Sequence, residues 1–80
     1  MENFKERFEL TLIRTLGIGQ EDIKPNARFI DDLGADSLDV TELIVEFEKE
    51  FKISIPDEEV EVMKTIGDVE FFLRKELNLE

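Results

Sequence analysis

Apolar side chains recur every four positions near the start of the chain, at Phe4, Phe8, Leu12 and Leu16, with Glu6, Arg7, Glu9 and Arg14 on the other faces. That period predicts an amphipathic helix from about Asn3 to Leu16. Gly17 and Gly19 follow, and a helix C-terminus prefers glycine. The period then vanishes until about Ala35. Pro25 and Gly34 punctuate this long loop, and Ile23, Phe29, Ile30 and Leu33 are expected to pin it to the core. A loop of this length in a compact domain is unusual and often functional.

A second helix is predicted from Asp36-Ser37 to about Phe51, with Asp36 as N-cap and Asp39 completing a carboxylate variant of the capping box. Ile53-Ser54-Ile55 reads as a short extended link with both Ile side chains on one side. Pro56 then starts a short acidic turn of helix from about Asp57 to Met63. Its first turn, Asp57, Glu58 and Glu59, places negative charge where a helix N-terminus favours it. Thr65 and Asp68 form the next capping box, ahead of a buried stripe of Ile66, Val69, Leu73 and Leu77. No run alternates as a strand would, and no internal repeat or linker divides the chain. The expected fold is all-α, a single domain over residues 1–80. It is a four-helix bundle of three longer helices and a short one, with a long loop between the first two.

Sorting the second helix at about 100° per residue separates three groups. Val40, Leu43, Ile44, Phe47 and Phe51 share one sector and face the core. Asp39, Glu42, Glu46 and Glu50 form an acidic stripe beside it. Leu38 and Val45 belong to neither group and point away from the core. Two exposed apolar residues beside carboxylates suit a small docking surface, in which charge steers the encounter and the apolar pair is desolvated. Scattered apolar surface residues and solvated acidic faces are also ordinary.

Composition narrows the function. The chain has 80 residues, 21 Asp plus Glu against 10 Lys plus Arg, and a formal net charge of −11. Such a surface repels nucleic acid, whose binding rests on cations displacing counterions, and it repels anionic lipid. Proteins with basic patches are the fitting partners. With no Cys and no His, disulfides, the usual zinc sites and Ser-His or Cys-His nucleophile pairs are all excluded. No segment has the length of a membrane span. The start lacks the basic and apolar regions of a signal peptide, so a cytoplasmic monomer is expected.

Ser37 is the remaining chemical group of interest. As the first residue inside a helix it would present its hydroxyl at the tip, beside backbone N–H groups that favour an attached phosphate. A serine there is also an ordinary helix cap.

The octet Asp32-Leu33-Gly34-Ala35-Asp36-Ser37-Leu38-Asp39 closely resembles the phosphopantetheine attachment motif of acyl carrier proteins. Glu42-Leu43, Phe29 upstream, and Glu48-Lys49-Glu50-Phe51 with Ile55-Pro56-Asp57-Glu58-Glu59 downstream extend the likeness over almost the whole chain. It lies close to the free-standing bacterial carriers of fatty-acid synthesis. The resemblance implies that Ser37 accepts 4'-phosphopantetheine from coenzyme A through a phosphopantetheinyl transferase, and that acyl chains ride as thioesters on the arm. It implies a carrier, not an enzyme, served by malonyl transferase, ketosynthases and other fatty-acid synthesis enzymes. It matches Asp36, Leu38, Asp39, Glu42 and Val45 to partner-facing positions, with Glu46 adding charge nearby. Family members shelter the acyl chain between helices, and Ile44, Phe47, Met63, Ile66 and Val69 are the candidates to line that space. Two departures, Val40 before Thr41 and Lys49 at a commonly acidic position, bear on which synthase enzymes are preferred.

Three rivals fare worse. Clustered carboxylates at Asp31, Asp32 and Asp36 are capable of acid–base work, but no nucleophile or pocket accompanies them. An EF-hand register that puts Gly34 sixth makes Phe29 first and Leu33 fifth, so a calcium loop fails and no metal site is expected. An unmodified acidic adaptor remains possible on composition. Within the carriers, one for polyketide, peptide or specialised lipid synthesis is the alternative.

Overall fold

A computed structural model describes residues 3–79. Among them are four α-helices, α1 (Phe4–Leu16), α2 (Ser37–Phe51), α3 (Asp57–Val62) and α4 (Ile66–Glu76), with a 3-10 turn at Gln20–Asp22. The bounds of α2 and α4 follow the caps read from the sequence, and α1 has a further cap at Asn3, which the apolar period alone places inside the helix. Asn3, Asp36 and Thr65 each accept a hydrogen bond from the backbone N–H three residues on, closed reciprocally by Glu6, Asp39 and Asp68. Gly17 ends α1 in the left-handed region at φ 70°, which glycine enters without steric cost. By contrast, α3 has no side-chain cap and no fully buried residue.

The core lies between α1, α2 and α4, where Phe8, Leu12, Leu43, Phe47, Ile66, Val69 and Leu73 are buried. The apolar stripes of these helices supply it, and each such side chain contributes roughly 1.5–3 kcal/mol on burial. Four phenyl rings join α1 to α2. Phe8 stacks on Phe47 at 5.2 Å between centroids, and Phe4 meets Phe8 at 5.5 Å and Phe51 at 5.3 Å. Two arginines close the cluster, Arg7 over Phe51 and Arg74 over Phe4, at 4.8 and 4.7 Å.

The long loop is hydrogen-bonded to the segment that joins α3 to α4 and to the first turn of α4. Phe29 N–H donates to the Lys64 carbonyl at 3.1 Å, Ile66 N–H to Ala27 at 3.0 Å, and Gly67 N–H to Pro25 at 2.9 Å. Arg28 and Thr65 make an isolated antiparallel bridge within this ladder. Phe29 is buried as expected, and Ile23 and Leu33 pack against the core. Ile30 does not: it is 58% exposed. Phe29 occupies the inward position at the bridge, so its immediate neighbour is turned outward.

Candidate functional site

Ser37 is the first residue of α2, and it is exposed. A serine at a helix start ordinarily serves as the cap, but here Asp36 does so. The Asp36 Oδ1 accepts from Asp39 N–H at 2.9 Å, and Asp39 Oδ2 accepts from Asp36 N–H at 3.1 Å. Capping therefore leaves the Ser37 hydroxyl uncommitted, at the end of the helix where the backbone dipole favours negative charge.

Two hydrogen-bonded features hold the approach to Ser37. Ala35 N–H donates to the Phe29 carbonyl at 2.9 Å, and the N–H groups of Asp32 and Leu33 both reach the Arg28 carbonyl at 3.0 Å. Arg28 also forks onto Asp32, Nε to Oδ2 at 3.0 Å and one terminal nitrogen to Oδ1 at 3.2 Å. These bonds, with the backbone N–H of Arg28, hold the Asp32 carboxyl below its usual range. Gly34 completes the turn with φ 73°, a left-handed conformation that glycine adopts freely.

The Ser37 side opens onto a cleft of about 470 Å³. Val40 and Thr41 of α2, Val60 and Met63 at α3, and the loop around Ile30 form its walls. That volume falls in the range of small-molecule sites. The spacing Ser37, Val40, Thr41 puts these three on one face of α2, a relationship legible in the sequence.

The residues expected to line an acyl space divide. Met63 borders the cleft, whereas Ile44, Phe47, Ile66 and Val69 are buried in the core beyond it. Val40, one turn nearer the helix start than Ile44, takes the wall position instead. The cleft lies at the N-terminal end of α2, where Ser37, Val40 and Thr41 line it.

Along the outer face of α2, Leu38 is 74% exposed and Val45 40% exposed. Glu42 is exposed between them, and Asp39 and Glu46 are half-buried. Glu50 leaves the expected acidic stripe: its carboxylate meets Arg7 Nε of α1 at 2.7 Å. Lys49 approaches Glu46 at 3.7 Å. The acidic face is thus concentrated toward Ser37. Among the described residues no group of three or more acidic side chains is placed to hold a metal ion, and no helix is long and apolar enough to cross a membrane.

A small acidic helical domain, with a free helix-tip serine beside an apolar cleft, has the form of a carrier that works through an attached arm. The phosphopantetheine attachment site family matches residues 7–73, and the chain belongs to that family, a carrier family and not a catalytic one. The fold is also similar to a solved structure from Mycobacterium tuberculosis assigned as an acyl carrier protein. Identity is 36%, over 91% of this chain and 97% of that one, with a TM-score of 0.83. The group that the family carries is 4'-phosphopantetheine.

Proposed function

We propose that Ser37 bears the phosphopantetheine arm and that the protein carries growing acyl chains as thioesters in fatty-acid biosynthesis. The observation that supports this most directly is the Ser37 hydroxyl, exposed at the start of α2 and relieved of capping by Asp36. In this transfer the Ser37 oxygen bonds to the pantetheine-side phosphorus of coenzyme A as the pyrophosphate P–O bond breaks; adenosine 3',5'-bisphosphate leaves, and the serine proton passes to a base of the transferase. The arm supplies the thiol, which a chain with no Cys otherwise lacks. Val40, Val60 and Met63 offer an apolar surface for the first carbons of the cargo. Ile44, Phe47, Ile66 and Val69 form the next layer, reached only if the helices part.

Partners dock on the face of α2. Asp36, Asp39, Glu42 and Glu46 steer basic patches of the transferase, malonyl transferase and ketosynthases. Leu38 and Val45 supply the desolvated contact. The cytoplasm is the compartment in this reading.

Reconstitution tests the pathway. Protein carrying the arm on Ser37 is expected to accept malonyl groups from purified malonyl transferase and to be elongated by ketosynthase. Arm attachment without loading or elongation would assign the carrier to polyketide, peptide or specialised lipid synthesis instead.

A further inference from the structure

Two cations line the cleft beside Ser37, and only one of them is engaged. Arg28 and Lys64 stand there with Asp31 and Glu61 as the acidic groups. Arg28 is committed to its fork onto Asp32 and approaches Asp31 at 3.4 Å. Lys64 is exposed, and neither it nor Glu61 is in an ion pair among the described residues.

The backbone fixes where Lys64 stands. Its carbonyl accepts from Phe29 N–H at 3.1 Å, and its own N–H donates to Asp68 Oδ2 at 2.9 Å. The Phe29 carbonyl in turn accepts from Ala35 N–H at 2.9 Å, two residues before Ser37. Phe29 thus ties Lys64 and the approach to Ser37 to one position in the loop. Only the Lys64 side chain stays uncommitted, at the cleft that Ser37 opens onto.

An uncompensated cation at that place works against docking. Enzymes with basic patches are drawn to the acidic face of α2, and a positive charge close to the serine repels them. Arm attachment supplies the compensation. The phosphodiester carries a negative charge, and its phosphorus is bonded to the Ser37 oxygen itself.

We propose, resting on the reading of Ser37 as the attachment point, that Lys64 pairs with the phosphodiester and lays the unloaded arm across the cleft. The arm's branched methyl groups then lie against Val60 and Met63, a surface that the first carbons of a cargo take over on loading. Ile30, which is 58% exposed on the loop wall, covers one side of the arm. Lys64 is in this account a positioning residue. A pair so exposed is weak and screened by salt, so the arm is biased toward the cleft and an enzyme can draw it out.

The test uses the full chain after treatment with coenzyme A and a transferase, with the arm verified by intact mass. The arm then holds the only thiol, since the chain has no Cys, and the rate of its alkylation by iodoacetamide reports its shelter. Lys64→Gln, its folding checked by circular dichroism, should raise that rate about 2-fold to 5-fold, the range an exposed pair supports. Lys64→Arg should keep the native rate. Lys75→Gln removes the same charge at a residue that lines other hollows, and should change nothing. Glu61→Gln removes the competing carboxylate and should slow the reaction. About 0.3 M salt should bring the native protein toward the Lys64→Gln rate. In NMR spectra, contacts from the arm's methyl groups to Val60 and Met63 should weaken in Lys64→Gln.

A chain that gains no arm would overturn this proposal together with the carrier reading. With the arm in place, three results would overturn the proposal alone: equal rates in the native protein and Lys64→Gln, an equal effect of Lys75→Gln, or methyl contacts undiminished without Lys64.

Discussion

Gly67 sits against the carbonyl of Pro25. Its N–H donates to that oxygen at 2.9 Å, and a Cβ at position 67 would lie only 2.8 Å from the same atom. Glycine in the first turn of α4 is what lets the loop before Ser37 lie directly on the helix. The contact ties the loop to the α3–α4 junction without any side chain.

Gly67→Ala sets helix propensity against this close approach. Alanine gains up to about 1 kcal/mol in a helix interior, while forcing a methyl group onto a backbone oxygen costs roughly 1–3 kcal/mol. Steric crowding is expected to win, with a net loss of about 1 kcal/mol in denaturant unfolding. A variant more stable than the native protein would show that the loop yields freely there.

Asp36 and Ser37 are adjacent, yet substitution should affect them differently. Asp36→Ala removes the cap of α2 and should cost about 1 kcal/mol. Ser37→Ala removes no cap and should leave stability within about 0.5 kcal/mol. Equal losses in the two variants would mean that the serine hydroxyl shares the capping.

The Arg28–Asp32 fork should make the loop sensitive to acid. Hydrogen bonds from the Arg28 side chain and backbone lower the Asp32 pKa from its ordinary 3.8. The folded carboxyl thus holds its proton less tightly than the unfolded one. Its stabilisation is complete above the unfolded value and disappears as pH falls through the lower, folded one. In an NMR titration, Asp32 should protonate below its ordinary value of 3.8, and Arg28→Gln should raise its midpoint. An unchanged midpoint in the variant would remove the fork as the cause.

Self-repulsion should limit stability at low salt. With a net charge of −11, added sodium chloride or magnesium is expected to raise the melting temperature through screening. A flat or falling melting temperature in calorimetry would show that charge repulsion is not the limit.

Much of this architecture is local, and local features were legible in the sequence. The caps at Asp36 and Thr65 and the four-residue apolar period place the helices because each acts within one or two turns; the equally local cap at Asn3 was passed over. What the sequence hid is non-local. Ile30 has the composition of a core residue, and only the Arg28–Thr65 bridge determines that Phe29 turns inward in its place. Glu50 belongs to the acidic stripe by its angle on α2, but Arg7 on another helix draws it away. Gly67 carries no side chain to advertise its contact. Val40 was read as core and proves to be both a core neighbour and a wall of the cleft.

Intact mass measures the central claim most directly. After incubation with coenzyme A and a phosphopantetheinyl transferase, the native protein should gain the mass of one arm, and fragmentation should locate it on Ser37. Ser37→Ala should gain nothing. A native protein that stays unmodified, or an arm found on another residue, would contradict the account.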